Sequence, residues 1–113
     1  MDENIAAYIE EVRRVPDISP AEEAALVGRI QRGDQRAEYR LAEAHMKQVV
    51  GLAQQYLNDN PALKSPTLSN LIQAGNTGLL LAVRKYLPGA DYDFWAYAQW
   101  WVRREIEILI QYS

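Results

Sequence analysis

Cysteine is absent from the 113 residues, which excludes a disulfide framework, a thiolate nucleophile and a cysteine metal site. Long apolar runs are missing too: none approaches the roughly 18 residues that span a bilayer. The acidic start "MDENIAAYIEE" has neither the basic flank nor the apolar stretch of a signal peptide, so the chain reads as cytoplasmic, with no membrane partner. Basic residues are short in number, 12 against 15 acidic, for a net charge of −3. That balance excludes the broad positive field of a non-specific nucleic-acid binder and confines any such contact to a local patch. His45 is the one histidine, and with no second histidine or carboxylate pair beside it a helix-surface or partly buried place is expected, without a metal or base role. No serine, histidine and acid set suggests a nucleophile. An enzyme is therefore not expected, and no cofactor or metal is implied.

Strand-like alternation and Asn-Gly or Asp-Gly turns are also lacking, while apolar residues recur three and four apart. The expected fold is all-α, a single compact domain of about five helices. Ile5, Tyr8, Ile9 and Val12 form a short stripe that the proline of "VPD" ends near Arg14. "SPAEEAALVGRI" reads as a helix start: Ser19 caps, Pro20 fits the first turn, and Glu22 and Glu23 suit the positive end of the dipole. This helix should reach about Gln31, where Gly33 and Asp34 break the pattern. A third helix, expected to be the longest, carries Ala37, Leu41, Ala44, Val49, Leu52, Ala53 and Tyr56. "NDNPALKSPT" is loop chemistry. Beyond it, Leu68, Leu71, Ile72, Gly75, Leu79, Ala82 and Val83 make one face, with Asn70, Gln73, Asn76 and Arg84 on the other. Gly75 and Gly78 follow no strand, so close helix packing explains them better than a phosphate loop.

The segment "FWAYAQWWVRREI", Phe94 to Ile106, opens a last helix expected to end near Gln111. Winding it at about 100° per residue lines up Ala98, Val102, Ile106 and Leu109 as a core stripe. The same winding puts Tyr97, Trp100, Trp101, Arg104, Glu107 and Gln111 on a different face. Exposed indoles beside arginines suit a protein hot spot or stacking on unpaired bases; a second layer covering them is the plainer alternative. Periodicity leaves both open. Glu105 and Glu107 read as a solvated or partner-facing edge.

"FWAYAQWWVRREI" resembles the sigma-70 family segment F-S-T-Y-A-x-W-W-I-R-x-x-I, with Phe94, Tyr97, Ala98, Trp100, Trp101, Arg103 and Ile106 in register. "NLIQAGNTGLLLAVRKY" is similar to the family's D-L-I-Q-E-G-N-x-G-L-x-x-A-V-x-K-[FY], and "YIEEVRRVPDISPAEEAALVGRIQRGD" and "RLAEAHMKQVVGLAQQY" resemble the segments before it. The resemblance implies a sigma region 2 domain over residues 35–113, preceded by region 1.2-like helices over residues 1–34. It also implies a transcription initiation module that docks on the clamp coiled coil of core RNA polymerase and melts the promoter minus-10 element by capturing the non-template single strand. Positions transferred to polymerase binding are Asn70, Gln73, Asn76 and Leu80. Those transferred to promoter DNA are Tyr86, Tyr92, Phe94, Tyr97, Trp100 and Trp101, with Arg103 and Arg104 near phosphates or the last base pair. Some of these aromatics are expected to support the pocket instead.

Departures from the family pattern set the alternative. Asn70 and Ala74 stand where acidic residues are usual, which removes two charge-assisted contacts. Trp95 and Ala96 replace small hydroxyl residues. "LPGADYD" lacks the usual basic residues, and from Tyr86 to Ser113 two arginines face Asp91, Asp93, Glu105 and Glu107, a net of −2 that opposes DNA. Glu107 lies near the family's duplex-reading positions, where a carboxylate accepts from cytosine but repels phosphate. The alternative is a sigma-like module that binds polymerase or an anti-sigma protein without melting DNA. The later sigma domains do not follow within the chain, and both a fragment and a short sigma-like protein fit.

Overall fold

The computed structural model describes residues 3–112 as six helices: α1 Glu3–Arg13, α2 Pro20–Gln31, α3 Gln35–Glu43, α4 Met46–Asp59, α5 Leu68–Lys85 and α6 Phe94–Gln111. No strand occurs among the described residues. The helix starts follow from local chemistry. The Ser19 hydroxyl accepts the Glu22 N–H at 3.1 Å while Glu22 Oε1 accepts the Ser19 N–H at 3.3 Å, a reciprocal cap with Pro20 in the first turn. Thr67 caps α5 in the same reciprocal way with Asn70, while Asp34 and Asp93 cap α3 and α6 one way, accepting from the Ala37 and Ala96 N–H groups. Between α2 and α3 the backbone of Gly33 takes a φ of 85°, a conformation that costs a residue with a Cβ.

The helix expected from Ala37 to Tyr56 is broken. Ala44 and His45 form a turn, with His45 at φ −115° and ψ 5°, and the count becomes six rather than about five. α3 then packs on α2 and α5, whereas α4 packs on α1 and α5, directions one straight helix could not serve. The longest helices are accordingly α5 and α6, at 18 residues each.

These two helices form the spine. Leu71, Leu79 and Val83 of α5 and Phe94, Val102 and Ile106 of α6 are fully buried, joined by Leu41 and Val49 from α3 and α4. Fully burying each such side chain stabilises the fold by roughly 1.5–3 kcal/mol. Gly75 and Gly78 let α5 and α6 approach closely: a Cβ at Gly78 would stand 2.8 Å from the Val102 Cα and 2.7 Å from the Trp101 carbonyl carbon. The expectation of close packing at these glycines is met, and it fixes the height at which α6 presents its outer face.

Candidate nucleic-acid interface

α6 divides as its winding requires. Ala98, Val102 and Ile106 have no exposed surface and Leu109 is partly covered, so the aliphatic stripe is core. On the outer side Trp100 is 61% exposed, and Trp101 and Tyr97 are half-buried against the core. The two indoles meet edge to face at 5.1 Å and 90°. Tyr97 abuts Trp101 at 6.4 Å, and Tyr92, half exposed, stacks on Tyr97 at 5.9 Å and 15°. The result is a run of four rings, Tyr92, Tyr97, Trp101 and Trp100, of which the two end members are the most open. Such ring pairs contribute about 0.5–1.5 kcal/mol beyond their buried area, which stiffens the row.

Two residues transferred to DNA contact stand elsewhere. Phe94 is fully buried, packed edge-on against Tyr86 at 5.4 Å and beside His45 at 5.0 Å; it anchors α6 and presents no surface to a strand. Tyr86 is buried as well, and its hydroxyl donates to the Tyr92 carbonyl at 2.7 Å. That bond holds the loop before α6 and so places Tyr92. Both residues support the row from beneath, because the first turn of α6 must seat its large ring where α2, α4 and the end of α5 converge.

Charge is distributed unevenly around the row. The Arg104 guanidinium lies 5.6 Å from the Trp100 ring and 5.7 Å from Trp101, and the Lys85 ammonium lies 5.7 Å from Trp101. Two cations therefore flank the indoles. Trp100, Arg103, Arg104, Glu107, Ile108 and Gln111 line a groove of about 500 Å³. A second groove of about 450 Å³ runs past Lys85, Tyr86, Tyr92 and Tyr97. The acidic residues are partly engaged: Asp93 caps α6 through the Ala96 N–H at 2.8 Å, and Glu107 accepts the Tyr56 hydroxyl at 2.5 Å. Burial, with the Glu107 carboxylate adding and Arg103 opposing, raises the Tyr56 phenol above its usual range. Glu107 thus stays on the solvated edge expected of it and is also tied to α4.

The residues transferred to polymerase contact do not form one open face. Gln73 is exposed and Leu80 is 41% exposed. Asn70 is exposed too, yet its side-chain oxygen accepts from the Thr67 N–H at 3.1 Å and hydroxyl at 2.9 Å, so it works as a helix cap. Asn76 is partly covered by α1: its amide donates to the Tyr8 hydroxyl at 2.9 Å, across 68 positions of sequence. A contact of that range leaves no periodic signal.

Three residues gain importance that their types did not reveal. His45, expected at a helix surface or partly buried, is 7% exposed in the α3–α4 turn. Glu23, expected to serve its own helix start, accepts the Phe94 N–H at 3.3 Å and so ties α2 to α6. Trp95 stacks on the His45 ring at 5.9 Å and 4°. The one available signal was the unusual Trp95 itself, a large ring where a small residue was the pattern.

Comparison with known proteins bears on the whole chain. The Sigma-70 region 2 family model matches residues 41–108. The RNA polymerase sigma factor SigA of Clostridium acetobutylicum is 38% identical over 106 residues, and that of a Bacillus species is 37% identical over the same length. Each match covers 94% of this chain and 27% of the relative, so the chain spans about a quarter of the length of the curated relatives it matches. No helix among the described residues is long and apolar enough to cross a membrane. With its helical bundle, its aromatic α6 and this breadth of match, the chain belongs to the sigma-70 family and carries its region 2 domain.

Proposed function

We propose that this domain is a transcription initiation module: it binds core RNA polymerase and captures the unpaired non-template strand of a minus-10 promoter element. The observation that carries the reading is the ring row Tyr92, Tyr97, Trp101 and Trp100 flanked by Arg104 and Lys85, on a chain of sigma-70 family membership. Stacking contributes about 1–3 kcal/mol per base, so two or three captured bases offset the few kcal/mol of local unpairing. Arg104, held over both indoles, meets the phosphates or the last base pair, with Arg103 beside it. On α5, Gln73 and Leu80 form the accessible part of the polymerase contact, with Asn70 and Asn76 beside them. In this reading residues 1–34 are the region 1.2-like part and residues 35–113 the region 2 core.

A second reading has its own observation. The segment from Tyr86 to Ser113 carries a net charge of −2, which favours a protein partner such as an anti-sigma protein, or polymerase alone, over a polyanion. A tryptophan-fluorescence titration separates the two. A minus-10-like single strand and a scrambled control are added at low salt with the polymerase clamp coiled coil supplied. Selective quenching, weakened roughly 5- to 150-fold by Trp100→Ala with helical circular dichroism retained, is the expected result. Coiled-coil binding with no response to either strand would reject strand capture and favour the protein-binding module.

A further inference from the structure

The one histidine of the chain is buried against the first turn of α6, away from solvent. Its imidazole is stacked on Trp95 and tilted against Phe94. Nδ1 stands 3.1 Å from Gln48 Oε1, which puts the proton of the neutral ring on Nδ1. Nε2 is buried with no hydrogen-bond partner, 4.0 Å from Glu23 Oε1. The other oxygen of that carboxylate, Oε2, accepts the Phe94 N–H. Phe94 is the first residue of α6, and the first N–H groups of a helix have no partner within it. One carboxylate therefore stands between a bare ring nitrogen and an orphan backbone donor of the aromatic helix.

We propose that His45 and Glu23 form a proton-operated latch on the first turn of α6. With His45 neutral, the Nε2 lone pair repels the carboxylate, which stays on the Phe94 N–H. With His45 protonated, Nε2 becomes a donor, Glu23 turns towards the ring, and the Phe94 N–H loses its acceptor. The consequence reaches the ring row, since Phe94 packs on Tyr86 and Tyr86 touches Tyr92 and Tyr97.

The charges around the ring set the range of operation. Glu23 from α2, Asp17 from the α1–α2 loop and Asp93 from the cap of α6 all favour the cation. Lys47, in the first turn of α4 that His45 precedes, is paired with Asp17 at 2.7 Å and so offsets it. At the end of α5, Tyr86 packs on Phe94 with its hydroxyl held by the Tyr92 carbonyl. Burial outweighs the carboxylates and holds His45 below its ordinary value of 6.5, so the neutral form prevails at pH 7 and the latch operates below pH 6.5. This inference rests on the packing of α2, α4 and α6 and stands apart from strand capture.

Amide and imidazole NMR shifts, followed on the whole chain from about pH 8 down to about pH 5, test it. The expected result is an upfield move of the Phe94 amide proton that shares its midpoint with the His45 ring, below pH 6.5. In Glu23→Gln that move disappears and the His45 midpoint drops further; in His45→Asn the Phe94 amide stays flat. A His45 titration that leaves the wild-type Phe94 amide in place overturns the latch. So does a Phe94 inflection that survives His45→Asn, or a ring that stays neutral until helical circular dichroism is lost. Where a variant fails to fold, the wild-type comparison of the two midpoints decides alone.

Discussion

Gly78→Ala tests whether the α5–α6 spacing is set by backbone contact. The added methyl would lie 2.8 Å from the Val102 Cα and 2.7 Å from the Trp101 carbonyl carbon, against about 3.5–4.0 Å for relaxed carbon contacts. The obstacle is backbone, so no rotamer change relieves it, and the helices must separate by about 1 Å. Overpacking of this kind costs about 1–3 kcal/mol, and backbone obstruction places it at the upper end. Alanine returns about 1 kcal/mol of helix propensity, for a net loss near 2 kcal/mol. Gly51→Ala is the internal control: Gly51 is exposed in mid-α4 with nothing within 4 Å of the new methyl, and a gain of about 0.5–1 kcal/mol is expected. Gly75→Ala should fall between, because its new neighbours are the Val49, Val102 and Ile106 side chains, which can shift. Urea unfolding followed by circular dichroism gives all three values. A Gly78→Ala protein as stable as wild type would refute backbone contact as the determinant of the spacing.

Further perturbations probe the site's supports. Phe94→Ala should cost about 3–5 kcal/mol in urea unfolding, since it empties a fully buried site at the start of α6. Asp93→Ala removes the α6 cap and should cost about 1 kcal/mol, with amide exchange faster in the first turn than elsewhere in the helix. Tyr56→Phe deletes the bond to Glu107 and should cost about 0.5–1.5 kcal/mol in the same unfolding assay. The depressed His45 value also makes stability depend on pH. Between the folded value and the unfolded 6.5 the unfolded chain holds more protons, so this contribution is complete above pH 6.5 and is lost as pH falls through the folded value. Melting temperatures measured across that window should show a decline that His45→Asn flattens.

Sequence by itself determined the inward faces of the helices and all the helices but the division of α3 from α4. Ser19 with Pro20 announces the start of α2 through a side chain that reaches a backbone N–H three residues on, a contact local enough to be written in spacing; Asp34 and Asp93 make the same contact in the structure. The division of α6 into Ala98, Val102 and Ile106 on one side and Trp100 on the other follows from 3.6 residues per turn. The family motif marked the same stretch. Tertiary structure alone decided which marked residues stay at the surface. Phe94 and Trp100 are both large aromatics in the sequence; one is sealed against α2, His45 and Tyr86 while the other stands in solvent, because burial depends on what arrives from elsewhere in the chain. Asn76 was partly covered by Tyr8, Glu107 tied to Tyr56 and Glu23 joined to the Phe94 N–H by contacts spanning 68, 51 and 71 residues. The break at His45 belongs with these, since the turn places the imidazole against two rings of α6. Periodicity encodes which side of a helix turns inward, but what covers the rest is set only when the helices pack.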